Sequence, residues 1–429
     1  MFETLKNAFR NKDIRKKILL TLLILLIFRV GCYIPVPGLL RDYFEKQISG
    51  NTFLTLMSDI TGGALSSGTL FALGIGPYIN ASIIMQLLAV GIPPLERLSK
   101  QGEEGKKKIA KITRLLTIVL AVVQAIGIIV NFANSGNAIK LDLFFDSKIF
   151  AGFYMTIVYT AGAMLVMWLG ERITEYGIGN GISMIIFIGI LSTAGDTLVN
   201  KFAQVVSDPM VLVEIALFVV LVVVIFFLIV FVDLAERKIP VQYAKQVRGT
   251  KMYGGQSSVI PMKISGSGVM PLIFAFAIIS FPSMIMSLVP AWQSAATWWD
   301  SVFTSGSWIY ILVLCVLIFA FSFFYAQIQF NAEDVSKSIQ QNGGFIQGIR
   351  PGAPTAKYLK KISNRITLFG AIYLTLIAFV PSLVFSWASY DLVNVFSTTG
   401  ILIVVSVALE LDKQLQSQIM MKNYKGFLK

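Results

Sequence analysis

The stretch MVLVEIALFVVLVVVIFFLIVFV, residues 210–232, is apolar throughout except for one charged residue, Glu214. A helix of about 20 such residues crosses the hydrocarbon core of a bilayer, which is roughly 30 Å thick. Because that core holds no water to satisfy free backbone groups, a helix that bonds them internally is favoured there. The run therefore predicts a membrane-spanning helix.

Outward from this run, the chain contains further runs of the same kind in both directions. Of its 429 residues, 55% are hydrophobic and 14% are charged, compared with roughly 45–50% and 25% in soluble domains. The sequence predicts an all-α polytopic membrane protein with ten transmembrane helices. The predicted spans are 18–34, 70–92, 114–133, 150–169, 181–198, 210–232, 269–289, 308–330, 366–383 and 392–409.

The positive charges indicate how these spans are oriented. Lys and Arg total 36 against 23 Asp and Glu, and most lie before the first span, after even-numbered spans or in the carboxyl-terminal tail. Because Lys and Arg accumulate in cytoplasmic loops, both termini are predicted to be cytoplasmic. Arg29 is an exception, since it lies inside the first run.

Two cytoplasmic connections, 233–268 and 331–365, are long for segments that only join helices. Their basic residues make them a candidate docking surface for a protein or ribonucleoprotein. Five spans in each half, 1–198 and 199–429, would give the second half the opposite orientation, so an internal repeat must be inverted. The motifs GPYI at 76–79 and MPLI at 270–273 match loosely at the second span of each half.

The segment NTFLTLMSDITGGALSSG, residues 51–68, lies on the outer side between the first two spans. It is too apolar for a solvated loop and too short and polar to span the bilayer. A re-entrant element that lines or closes a cavity is one interpretation, and an amphipathic helix lying flat on the outer surface is the other.

Catalytic and metal-binding classes are poorly supported. The chain contains no histidine, which excludes a His-based triad, and Cys32 and Cys315 lie in separate runs without metal-ligand spacing. The Gly-flanked serines at 63–68 have no base near them in sequence, which argues against a serine protease. A secondary transporter of small solutes is one candidate for such a multi-pass protein, with Glu214 as its clearest intramembrane carboxylate.

Several long motifs resemble the SecY family, the central subunit of the bacterial protein-conducting channel, over essentially the whole chain. The resemblance rests on IPVPG (34–38), GGAL (62–65), FALGIGPYI (71–79), MWLGERITE (167–175), GIGNGIS (177–183), YAK (243–245) and GFIQGIRPG (344–352). It implies an hourglass pore between two inverted five-helix halves, with a plug within residues 51–69 and a lateral gate.

The resemblance also assigns roles to individual residues. The gate aligns with Asn80, Gln124, Ser265 and Phe281, although the family commonly has asparagine where Ser265 stands. The pore ring aligns with Ile75, Ile79, Ile182, Ile186, Ile273 and Ile403. The plug aligns with Gly62, Gly63, Ala64, Leu65, Ser66 and Ser67. Partner-binding cytoplasmic residues align with Arg350, Arg237, Lys238, Lys245, Arg248 and Lys251.

By this resemblance the chain is expected to be a multi-pass protein of the cytoplasmic membrane that conducts unfolded preproteins and releases apolar segments into lipid. It would be neither an enzyme nor a cofactor protein. Because no GxxxxGK[ST] phosphate loop occurs, the driving energy must come from a partner or the membrane potential. The expected partners are the small subunits SecE and SecG, the SecA motor ATPase, the ribosome, preproteins with their signal peptides, and the lipid bilayer.

Overall fold

The computed structural model describes residues 6, 8–39, 58, 61–134, 147–205, 208–243, 246–248, 251–253, 257–264, 270–288, 298–299, 302, 307–388 and 398–427. The predicted segment at 51–60, apart from Ser58, lies outside these residues, and so do Lys245 and Ser265.

Twelve helices and five strands occur among the described residues. The helices are α1 (Lys12–Gly31), α2 (Gly76–Gly91), α3 (Pro93–Lys100), α4 (Glu103–Asn134), α5 (Lys148–Tyr176), α6 (Gly181–Gln204), α7 (Met210–Leu234), α8 (Met270–Leu288), α9 (Trp308–Gln329), α10 (Ala332–Gln341), α11 (Ala353–Ala388) and α12 (Thr398–Phe427). The strands are β1 (Glu236–Tyr243), β2 (Gln246–Arg248), β3 (Lys251–Tyr253), β4 (Ser257–Lys263) and β5 (Gly344–Phe345).

The predicted spans coincide with helices. Each of the ten overlaps one described helix, in chain order α1, α2, α4, α5, α6, α7, α8, α9, α11 and α12. In the described part of the chain, six helices are by themselves long and apolar enough to cross a membrane. A seventh is obtained if α2 and α3, which meet at 106°, form one bent span. The prediction of a predominantly helical, multi-pass membrane protein is confirmed.

The second span begins later than its apolar run. The run starts at residue 70, whereas α2 starts at Gly76. The N–H of Leu70 donates to the carbonyl of Ile34 at 3.0 Å, and Thr69 forms a β-bridge with Pro35, so this backbone is bonded outside any helix. Pro77 then lies in the first helical turn, where its missing N–H costs nothing. The helix is therefore shorter than the predicted span. In residues 70–75 the N–H of Leu70 bonds to a distant carbonyl, and those of Ala72 and Gly74 donate three residues back within turns.

Helix packing follows a similar order in both halves of the chain, except that α1 also packs on α5 and the described residues show no comparable contact of α7 with α11. In the first half α2 packs on α4, α4 on α5, α5 on α6 and α1 on α6. In the second half α8 packs on α9, α9 on α11, α11 on α12 and α7 on α12. Contacts of α4 with α8, α6 with α12 and α6 with α7 join the two sets of helices.

The two long connections predicted to be cytoplasmic are not independent loops. Strand β1 pairs antiparallel with β4 over the register from Glu236↔Lys263 to Gln242↔Ser257, and its other edge pairs with β5 at Gln242↔Phe345. One apolar cluster fastens this sheet to α10 and the start of α11, with buried members Ile239, Val241, Met262, Ala332, Ile339, Ile346, Leu359 and Ile362. We call this unit of sheet, α10 and early α11 the platform.

Candidate functional site

Six isoleucines from four parts of the chain meet in one apolar cluster. Ile75, Ile186 and Ile403 are 2%, 4% and 7% exposed, and Ile79, Ile182 and Ile273 pack against the same cluster half-buried. They come from the start of α2 and from α6, α8 and α12. These are the six residues that the family resemblance assigns to the pore ring. The cluster also contains apolar residues of α1 and α5, among them Phe28 and Val166, and we call the whole of it the isoleucine cluster.

Close approach of the backbones explains how isoleucines of α2 and α6 come near each other beside α5. The N–H of Ile79 donates to the carbonyl of Ile75 at 3.1 Å, so both side chains lie on one helix face. A methyl group on Gly170 of α5 would lie 3.6 Å from both Ile75 Cδ1 and Ile182 Cγ1. On Gly181 it would lie 1.9 Å from the Gly170 carbonyl oxygen. Glycine at both positions therefore lets α5 and α6 approach closely beside the cluster.

The segment 61–69 forms tight turns against the same cluster. Gly62 and Gly63 adopt φ values of +70° and +79°, which side-chain-bearing residues rarely adopt. The N–H of Ser67 donates to the Gly63 carbonyl at 3.1 Å, and the Ser66 hydroxyl donates to that carbonyl at 2.8 Å. These local hydrogen bonds close a compact turn where a continuing helix would otherwise run.

This segment is buried rather than spread on a surface. Ala64 is fully buried in the isoleucine cluster, and Leu65, 2% exposed, belongs to the adjoining cluster formed with α4 and α5. The N–H of Val36 donates to the Gly68 carbonyl at 3.1 Å and fixes the end of the segment to the chain that follows α1. For residues 61–68 this burial favours the re-entrant interpretation over a flat surface helix.

The residues aligned with a lateral gate lie on neighbouring helices. Asn80 is half-buried on α2, Gln124 is 6% exposed on α4, and Phe281 belongs to α8. Helix α4 packs against both α2 and α8, and the contact of α4 with α8 is one of the three described contacts that join the two sets of helices. Ser265 lies outside the described residues.

Among the basic residues assigned to partner binding, Arg237 and Lys238 lie on β1 of the platform, and Arg248 and Lys251 lie on the separate hairpin β2–β3. Arg237 and Lys238 are exposed on β1, and an exposed ion pair of 3.3 Å joins Lys238 to Glu236. Arg248 at the end of β2 pairs in register with Lys251 at the start of β3.

Arg350 is exposed in a turn that accepts hydrogen bonds from two hydroxyl groups of the platform. The Thr355 hydroxyl donates to the Arg350 carbonyl at 2.8 Å, and the Ser336 hydroxyl of α10 donates to the Gly352 carbonyl at 2.8 Å. A groove of about 470 Å³ runs beside it, lined by Gln340, Gly343, Gly344, Phe345, Gly348, Ile349, Arg350 and Pro351. These bonds fix the backbone of the turn, and the exposed guanidinium of Arg350 is available for bidentate contact with carboxylate or phosphate.

Sequence reasoning missed two polar contacts near these sites. Lys413 of α12 pairs with Asp233 at the end of α7 at 2.9 Å. Arg29 of α1 donates to the Gly62 carbonyl at 3.2 Å. The second had a signal in the sequence, since Arg29 is the one basic residue that the charge distribution left inside an apolar run. The first joins residues too far apart in the chain for pattern analysis to pair.

Comparison with known proteins identifies the family. The SecY family model matches residues 69–411. The chain is 41% identical to the protein translocase subunit SecY of Streptomyces galbus and covers 100% of both chains. It is 40% identical to the protein translocase subunit SecY of Mycobacterium tuberculosis, again over 100% of both.

Solved structures agree at the level of the fold. A structure described as that of a protein-conducting channel matches with a TM-score of 0.63 at 19% identity, covering 94% of this chain and 91% of that one. Sec61 in the canine ribosome–channel complex matches with a TM-score of 0.58 at 18% identity, covering 94% and 91%.

These relatives bear names of translocase subunits and channels rather than of enzymes. They give no support to the alternative of a small-solute transporter. Matching the family model over most of its length and curated relatives over all of it, the chain belongs to the SecY family.

Proposed function

We propose that this chain is the protein-conducting channel subunit of the general secretory pathway, which passes unfolded preproteins across the cytoplasmic membrane and releases transmembrane segments sideways into lipid. One observation carries the proposal above the others. Six isoleucines from α2, α6, α8 and α12 lie in a single cluster, and the turn at Ala64 packs against it.

The chemistry of that cluster suits a constriction that any polypeptide can pass. Isoleucine is apolar, so an empty collar of such side chains excludes water and thereby blocks ions. It is also branched at Cβ and stiff at its first torsion, so the collar keeps its shape. Apolar contacts are non-directional, so the collar would surround a passing chain without reading its sequence.

The segment 61–69 would act as a plug on the outer side of this collar. Its burial against the isoleucine cluster supports that role. Two inverted halves, 1–198 and 199–429, would surround the pore. The similar order of helix packing in the two sets of spans supports this internal repeat.

The junction between α4 and α8 would serve as the lateral gate. Asn80 and Gln124 would place uncharged polar groups next to it, where they tune how easily helices part. An apolar segment in the pore would leave through this gate because leucine, isoleucine, phenylalanine or valine each gain about 0.3–0.6 kcal/mol on insertion. Summed over a helix, this gain would separate membrane insertion from secretion.

The platform would receive the partners that drive transport, either the SecA ATPase or a ribosome. Its exposed Arg237, Lys238 and Arg350 support this role because guanidinium and ammonium groups bind carboxylates and phosphates. SecE and SecG would complete the assembly within the membrane. The excess of basic residues outside the predicted outer loops supports two cytoplasmic termini.

The resting ion conductance of the purified complex in planar bilayers tests the collar. The double variant Ile79→Gly and Ile273→Gly should leak ions in the absence of preprotein, because it removes two apolar side chains from the isoleucine cluster. The control is Ile157→Gly with Ile372→Gly, which removes the same number of isoleucines from positions 52% and 43% exposed. Equal conductance of the collar variant and the control would overturn the proposal.

A further inference from the structure

Arg29 lies in an unusual position for a charged residue. It belongs to the last turn of α1, inside an apolar run, and its side chain is half-buried. Charged groups at membrane depth are costly and are retained where they are paired or have a function. The contacts of this guanidinium therefore indicate what it does.

Its contacts are directional. Nη1 donates to the carbonyl of Gly62 at 3.2 Å, and Nη2 donates to the hydroxyl of Tyr33 at 3.0 Å. The guanidinium carbon also lies 5.1 Å from the centre of the Tyr33 ring, within the range of a cation–π interaction. Tyr33 thus orients the guanidinium, and Gly62 accepts from it.

The backbone at Gly62 is shaped to receive this group. A methyl group there would lie 2.6 Å from Arg29 Nη1 and 3.1 Å from the Cα of Gly189 on α6. The φ of +70° adds strain for any other residue. Only glycine therefore lets the turn fit between the guanidinium and α6.

A second hydrogen bond also connects the end of α1 to this turn. The Cys32 thiol, three residues after Arg29, donates to the carbonyl of Thr61 at 3.7 Å. Two successive carbonyls of the turn thus accept from side chains at the end of α1. Beyond them, Ala64 packs against the isoleucine cluster.

We infer that Arg29 is a positioning residue that holds the turn at 61–63, and with it the buried segment 61–69, in the closed position. The inference rests on the proposed channel function. Moving the segment away from the isoleucine cluster requires the Arg29–Gly62 hydrogen bond to break, so this bond sets how often the empty channel opens. A charge-assisted hydrogen bond in a low-dielectric setting is strong enough for this role.

The test measures resting ion conductance of the purified complex and, in parallel, transport of a preprotein with a weakened signal sequence. Arg29→Leu should raise resting conductance about tenfold, equivalent to about 1.4 kcal/mol lost from the closed state. It should also increase transport of the weakened preprotein, a gain that general loss of stability does not produce. Gly62→Ala should act in the same direction by displacing the turn.

Two further variants keep the test interpretable. Tyr33→Phe removes only the hydroxyl that accepts from Nη2 and should give a smaller increase in a protein with an unaltered core. Arg15→Leu removes an exposed arginine from the same helix and should leave conductance unchanged. Arg29→Leu or Tyr33→Phe protein that conducts no more than the Arg15→Leu control would overturn the inference.

The collar variant Ile79→Gly with Ile273→Gly separates this inference from the proposed function. If the collar variant leaks and the Arg29 variants do not, the role of Arg29 is wrong and the channel remains. If neither leaks, the channel proposal and the role of Arg29 both fail.

Discussion

The Nζ atom of Lys413 lies 2.9 Å from Oδ2 of Asp233, although the two residues are 180 positions apart in the chain. The same ammonium donates to the Asp233 carbonyl at 3.4 Å. The pair joins the end of α7 to α12, and its side chains are only 34% and 16% exposed. A partly buried pair of this kind loses more when one partner is removed than an exposed pair does, because the remaining charge stays desolvated.

Lys413→Met should therefore destabilise the protein by about 1–2 kcal/mol, between the usual ranges for exposed and buried pairs. Thermal unfolding in detergent measures the effect. Lys106→Met is the matched control, since its pair with Glu103 has side chains 71% and 83% exposed and should contribute little. The exchange of Asp233→Lys with Lys413→Asp should recover part of the loss, and no difference between the two methionine variants would contradict the prediction.

Close packing of α5 against α6 predicts a second effect on stability. Gly181→Ala would place a methyl group 1.9 Å from the Gly170 carbonyl oxygen, so the helices must separate. We expect a loss of about 1–3 kcal/mol in the free energy of unfolding, the usual range for overpacking.

Gly195→Ala on the same helix is the control, because a methyl group there meets nothing within 4 Å. It should be neutral or stabilising by up to about 1 kcal/mol, since alanine is the better helix former. A higher melting temperature for Gly181→Ala than for Gly195→Ala would show that the close approach of α5 to α6 is incorrect.

Polarity in the isoleucine cluster should control the resting leak. Ile403 is 7% exposed there. Ile403→Asn should hydrate the collar and raise resting conductance, whereas Ile403→Val keeps it apolar and should not. The measurement compares the conductance of these two variants in planar bilayers. Equal conductance would mean that Ile403 packs between helices without facing the conduction path.

Arg350→Glu should abolish ATP-driven preprotein transport while the protein still folds. Its side chain is exposed at the edge of the 470 Å³ groove, so the change reverses a surface charge without disturbing the core. Lys337→Glu, a charge reversal at another exposed position of the platform, is the control. Transport into vesicles and thermal unfolding are measured together. Retained transport by folded Arg350→Glu protein would refute a docking role for this residue.

Local sequence was sufficient for the elements whose stability depends on their own residues. The run at 210–232 predicts α7 because transfer of an apolar helix into lipid requires no knowledge of its neighbours. The spacing of four residues within the isoleucine pairs 75/79 and 182/186 is enough to place each pair on one helix face. Which distant residues these faces would meet required the family resemblance, because many isoleucines at helical spacing only fill a core.

Elements defined by remote partners were beyond such reasoning. Leu70 is as apolar as the rest of its run, yet its N–H bonds to the carbonyl of Ile34, and α2 begins only at Gly76. From the sequence the two long connections are predicted as separate loops. In the structure Gln242 pairs with Phe345, so both connections contribute strands to one sheet. In both cases a backbone group has a partner that no local window contains.

The sequence by itself determined that this is a multi-pass helical membrane protein and where its apolar helices lie, because apolarity acts on each segment independently. Only the tertiary structure decided that Arg29 lies against Gly62, that Lys413 pairs with Asp233 and that six isoleucines from four elements share one cluster. Those relations depend on directional hydrogen bonds and side-chain packing between residues far apart in the chain, which exist only after the helices have assembled.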